Sequence, residues 1–186
     1  GVKNVLVHWD GQHFEQASVP DTAVGQNFYK IVNNNGIRRV VGSGGLLLQD
    51  RGHAQWVDDG TPLLRGDNRI FTLSCGESCA AVGGAGAGFV AVRGLSGWSL
   101  DANVDQNSLP ALNGVYQGPS GRYIVGINGY TRHDIESFGV ARSYSPPALT
   151  SATLHAVTGS GGADGGADAL LLAVGGELGV NNASQR

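Results

Sequence analysis

Three groups of residues in this chain have types and spacings that suit chemistry. Gly76-Glu77-Ser78-Cys79-Ala80 follows an apolar run and precedes small residues, the setting of a nucleophile elbow. Asp134 and His155 follow it in the order acid, then histidine, so one reading is a small serine hydrolase acting through Ser78, Asp134 and His155. Ala80 stands where an elbow carries its second glycine, and the helices of a parallel α/β sheet have no counterpart in the flanking sequence. A second triad could be drawn from His53, Asp58 and Ser108, but Asn107-Ser108-Leu109-Pro110 lacks the glycine frame of an oxyanion hole. The third group is a series of aromatic–acid corners: Trp9 with Asp10, Trp56 with Asp58, Trp98 with Asp101, and Tyr130 with Asp134, next to His133. A flat ring beside a carboxylate can stack on the C–H face of a sugar while accepting from its hydroxyls, and it equally suits a protein hot spot. The competing reading is structural, each Trp packing between strands while its Asp closes a turn. In that case Tyr116, Tyr130, Arg132 and His133 become the better binding candidates.

No motif calls for a cofactor or a metal. Thr158-Gly159-Ser160-Gly161-Gly162 has the glycines of a phosphate loop without its lysine, and Asp164 would repel phosphate. The histidines at 8, 13, 53, 133 and 155 are scattered, and Asp58-Asp59, Asp164 and Asp168 lie in no 12-residue calcium loop. Cys75 and Cys79 are four apart, about 13 Å along a strand. A disulfide needs Cα atoms within about 7 Å, so two free thiols are expected on a strand and a disulfide only on a bent or helical path.

The elements that must position these groups read as strands. Val5–Trp9 runs into Asp10-Gly11, and Phe28–Val32 is joined to Ile37–Val41 through Asn35-Gly36, the strongest hairpin signal in the chain. Arg69–Leu73, Gly88–Val92, Gly121–Val125 and Ala169–Val174 are further apolar runs that end at or near glycine. Helical patterning is confined to Gln16–Val32 and a turn or two near Leu170, both interrupted by breakers or β-branched residues. The aromatic–acid corners recur at spacings of 47, 42 and 32 residues, in the range of propeller blades. The expected fold is therefore all-β: one domain, 1–186, of repeated antiparallel, propeller-like units near 1–45, 46–94, 95–145 and 146–186. A two-sheet jelly-roll sandwich is the alternative.

Val5–Pro20, followed by Val24-Gly25 and the stretch to Gly42, resembles the blade pattern of RCC1-like propellers, including their β-lactamase-inhibitory subgroup. Leu73–Val82 resembles the Cys-Gly step of the same family, although Trp-Asp and Trp-Ser replace its Trp-Gly dipeptide. The resemblance covers about half the chain and implies a protein-binding surface rather than catalysis.

Composition narrows the function classes. Of 186 residues, 31 are glycine and none is methionine, and the net charge is −3, which gives no electrostatic footprint for nucleic acid. No run is apolar enough for a membrane helix, and no signal-peptide pattern is visible. The expectation is a non-catalytic module, binding a protein or glycan through the aromatic–acid corners. It fits an extracellular, virion or cell-surface setting and self-association into an assembly.

Overall fold

The structure is a computed structural model describing residues 5–52, 55–137, 140–160 and 170–176. It is all-β: 57 % of it is strand, and no helix reaches seven residues. The strands are β1 (Val7–Trp9), β2 (Phe14–Gln16), β3 (Phe28–Asn34), β4 (Ile37–Gly42), β5 (Leu47–Asp50), β6 (Trp56–Asp58), β7 (Ile70–Cys75) and β8 (Cys79–Gly84). They continue with β9 (Gly88–Gly94), β10 (Gly97–Leu100), β11 (Leu112–Gly118), β12 (Gly121–Gly126), β13 (Thr131–Ser137), β14 (Val140–Tyr144), β15 (Leu154–Ser160) and β16 (Leu170–Gly175). They form three four-stranded meanders, β3–β6, β7–β10 and β11–β14, and two hairpins, β1–β2 and β15–β16. Every named strand pairs antiparallel with its sequence neighbour and with no other. The crossed connections of a jelly roll are therefore not made.

The repeat is stricter than the aromatic corners suggested. β3, β7, β11 and β15 begin 42 residues apart, at Phe28, Ile70, Leu112 and Leu154. Each carries a register shift after its first residue, a bulge that bends it in the same place. Unit boundaries at 45/46 and 94/95 would part β4 from β5 and β9 from β10. The structural units instead start with the bulged strand. The 42-residue spacing is carried in the sequence by Trp56 and Trp98, which open equivalent outer strands. Trp9 lies on β1, and the residue 42 before Trp56 is Phe14, so the 47-residue step compared unlike positions.

Local chemistry explains the hairpins. Asn35 and Gly36 have φ of 50° and 81°, the left-handed pair that a two-residue turn requires, and close β3 on β4 with Asn34 opposite Ile37. The segment 16–32 is not helical beyond a single 3₁₀ turn at Asp21–Ala23, because Pro20 and the β-forming run from Phe28 leave no helical length. Leu170 likewise lies on a strand.

The core lies between sheets, layer by layer. Alternation along the fully buried β8 sends Ala81 toward the first meander, with Val41, Leu47, Ile70, Leu73, Phe89 and Trp98. It sends Ala80 and Val82 toward the third, with Val90, Leu112, Val115 and Ile124. A third cluster joins Ala17 and Ala23 to Val40, Leu46, Leu48 and Trp56. Each large apolar side chain so buried contributes roughly 1.5–3 kcal/mol. One glycine per unit permits the close approach. A Cβ on Gly42, Gly83, Gly126 or Gly175 would meet a carbonyl oxygen, that of Asn27, Arg69, Ala111 or Thr153 in turn, and those four residues are again 42 apart.

Gly83→Ala would set its Cβ 1.7 Å from the Arg69 oxygen, whereas a Cβ on Gly94 would find its nearest atom at 3.9 Å. Thermal or urea unfolding is expected to show Gly83→Ala destabilised by about 3 kcal/mol or more, beyond ordinary overpacking. Gly94→Ala should stay within about 0.5 kcal/mol of the parent.

Candidate functional site

The aspartates of the corner motifs act between sheets. Asp59, just past β6, accepts from Trp98 Nε1 at 3.0 Å and Arg93 Nε at 3.3 Å, both on the second meander. Arg39 stands 3.9 Å from the same oxygen. Forty-two residues on, Asp101 just past β10 accepts from Arg122 Nη2 of the third meander at 2.5 Å. Arg122 also donates to Asp134 from Nε and Nη2 at 3.1 and 2.7 Å, and Asp134 accepts in addition from Arg132 Nε and Ser143 Oγ. Burial alone would raise the Asp134 carboxyl, but the bonds from Ser143, Arg122 and Arg132 outweigh it and hold the group below the usual carboxylate range. Asp58 behaves similarly. Burial raises it, while bonds from Thr22, Arg65 and the Gly60 amide bring it down.

The proposed corners are thus placed unlike one another. Trp56 and Trp98 are buried, so their rings are not presented to a ligand. Asp58, Asp101 and Asp134 are spent on arginines. Tyr130 is partly buried against the second core layer. Trp9 is exposed and packs on Phe14 with centroids 5.0 Å apart, and Asp10 caps its turn by accepting from the Gln12 and His13 amides. His133 stacks on Tyr123 at 4.0 Å, and Tyr123 on Tyr116 at 6.4 Å, forming a ladder across β11, β12 and β13.

The hydrolase residues do not assemble. Gly76–Ser78 forms the turn of a β7–β8 hairpin, where an elbow needs a strand-to-helix turn. His155 Nε2 lies 2.8 Å from the Gly176 carbonyl oxygen, and both Asp134 oxygens are already engaged. Among the described residues, no hydrogen bond joins Ser78, Asp134 and His155. His53, Asp164 and Asp168 lie outside the described residues, as does most of the 159–166 glycine cluster. Cys75 and Cys79 form a disulfide with Cα atoms 4.0 Å apart, because the chain reverses between them and makes them a facing pair. No group of three metal-ligating side chains occurs among the described residues. None of the described helices is long and apolar enough to cross a membrane.

What the strand arrangement does bring together is a pair of adjoining cavities where β3, β7, β11 and β15 converge. The first, about 220 Å³, is lined by residues from all four strands, among them Val32, Ser74, Tyr116 and Thr158. The second, about 190 Å³, is lined by Tyr29, Phe71, Asn113 and His155 at one level and by Lys30, Thr72, Gly114 and Ala156 at the next. Each of these quartets is spaced by 42 residues, so the walls are built from equivalent positions of four repeats. Lys30, Val115 and Val157 line both cavities, which therefore run together. Sequence reading had named only Tyr116 and His155 from this wall. The signal that would have found the rest was the 42-residue register of the bulged strands.

No family model, curated protein or solved structure matches the chain.

Replacing Arg122 by methionine would leave Asp101 and Asp134 without their shared cation, and denaturant melts are expected to show a loss of about 3–5 kcal/mol. The depressed Asp134 carboxyl contributes stability that is fully present above the ordinary aspartate pKa of about 3.9 and is lost as pH falls through the lower folded value. Asp134→Asn should therefore lower stability at neutral pH and flatten its fall below about pH 4, read as melting temperature against pH.

Proposed function

We propose that this chain is a propeller-like, non-catalytic binding module that receives a protein or glycan ligand at the cavity where its four bulged strands converge. The observation that carries this reading is the lining itself. Equivalent residues of four successive units face one concavity, and they differ in chemistry: Val32, Ser74, Tyr116 and Thr158 at one level. A repeat array gains specificity when equivalent positions on a shared surface diverge in side chain while the frame stays constant. The resemblance of Val5–Pro20 and Leu73–Val82 to RCC1-like blades agrees with a propeller-like frame and a binding role. The Cys75–Cys79 disulfide suits an oxidising, extracellular or surface setting. The Tyr116–Tyr123–His133 ladder begins at the cavity wall and supplies flat faces beside it.

The test is a glycan and protein array followed by titration of each hit. Thr158→Trp, at an exposed position on the wall, should fill the first cavity and weaken binding at least tenfold, about 1.4 kcal/mol, with an unchanged circular dichroism spectrum. Trp9→Ala should leave affinity unchanged. Binding that survives Thr158→Trp but is lost in Trp9→Ala would move the site to the exposed Trp9–Phe14 pair and overturn the cavity reading.

A further inference from the structure

Lys30 and Thr72 occupy equivalent positions on β3 and β7 and both line the second cavity. Lys30 is one of only two lysines in the chain. Neither cavity is lined by an acidic residue, and among the described residues Lys30 makes no ion pair. Every described arginine–aspartate pairing lies elsewhere, so the cavity holds a cation that the fold has left uncompensated. Partial desolvation by the cavity walls lowers the Lys30 pKa, the cost of a charge held away from water without a counter-ion. Thr72 supplies a second, independent sign. It is 96 % buried, lines the same cavity, and its hydroxyl has no hydrogen-bond partner. An orphaned buried hydroxyl is unfavourable unless something not of the chain satisfies it. Across from these two, the equivalent positions on β11 and β15 are Gly114 and Ala156, which leave the level open.

We propose that this level is an anion subsite for the carboxylate of a small hydroxylated acid, a sugar acid, its charge met by Lys30 Nζ and one of its oxygens by the Thr72 hydroxyl. The hydroxyl-bearing part then extends into the adjoining cavity, where Asn33, Asn34, Ser74, Tyr116 and Thr158 offer donors and acceptors. Two joined cavities of this size take a monosaccharide-scale group, so the sugar acid is either free or the end residue of an acidic glycan. This inference rests on the cavity being the binding site.

Calorimetric titration of the whole chain with galacturonate, an oligogalacturonide, methyl galactoside and inorganic phosphate tests it. Galacturonate is expected to bind at least tenfold more tightly than the neutral glycoside, and phosphate to compete with it. Lys30→Gln should lower galacturonate affinity at least tenfold, with Lys30→Arg restoring most of it. Thr72→Val, which removes an unsatisfied hydroxyl, should keep or raise stability while weakening galacturonate several-fold. Tighter binding of the oligomer than of the monomer identifies an acidic glycan end, and the reverse a free sugar acid. Equal affinity for galacturonate and the neutral glycoside, or binding indifferent to Lys30→Gln, overturns the anion subsite. So does the absence of saturable galacturonate or phosphate binding below about 10 mM. In any of these cases, a ligand still displaced by Thr158→Trp preserves the cavity as a binding site. Binding indifferent to Thr158→Trp removes both readings.

Discussion

The arrangement depends on one kind of contact, the aspartate that leaves the last strand of a sheet to clasp a cation or indole N–H on the next. Asp59 does this toward Trp98 and Arg93, and Asp101 toward Arg122, at positions 42 residues apart. Apolar layers bring the meanders face to face but do not dictate their rotation about the shared core, because Val, Leu and Ala pack tolerably in several alignments. A charge-assisted bond in a half-dry setting accepts only a narrow geometry. The clasps therefore set the angle between sheets, and that angle decides whether the four bulged strands meet around a cavity or splay apart.

Much of the secondary structure was legible because its causes are local. Asn35-Gly36 specifies a turn by backbone sterics alone, and Phe28–Val32, Gly88–Val92 and Gly121–Val125 are β-rich runs bounded by glycine. The sheet assignment was less legible. Pairing of β4 with β5, or β9 with β10, is decided by packing across sheets, and the corner motifs mixed equivalent with inequivalent positions. Trp56 and Trp98 do share a place, yet Trp9 and Tyr130 do not. The cysteines illustrate the same limit in miniature. Four residues measured along a strand forbid a bridge, and the same four measured across a hairpin require almost no distance at all.

The site was the least legible part. A ring followed by a carboxylate reads the same way whether the pair faces a ligand or a neighbouring sheet, and only burial separates the two. At Asp101 and Asp134 the arginine partner lies 21 or 12 residues away in sequence, beyond any local pattern. Lys30, in contrast, looks unremarkable in the sequence, a lone base in a strand. Its meaning comes from Thr72, Gly114 and Ala156, each a full repeat further on.

The constant spacing of the bulged strands has a consequence for how such a chain can change in length. Each junction between units is made by the same few contacts, a glycine against a carbonyl and an aspartate against the next sheet. Duplication or excision of a whole 42-residue segment would present every junction with the partner it already expects. A one-residue insertion within a bulged strand would turn its side chains to the opposite face and disturb two junctions together. The array is in this sense quantised: it grows or shrinks by whole units, and each added unit widens the ring of equivalent positions from which a new wall can be drawn.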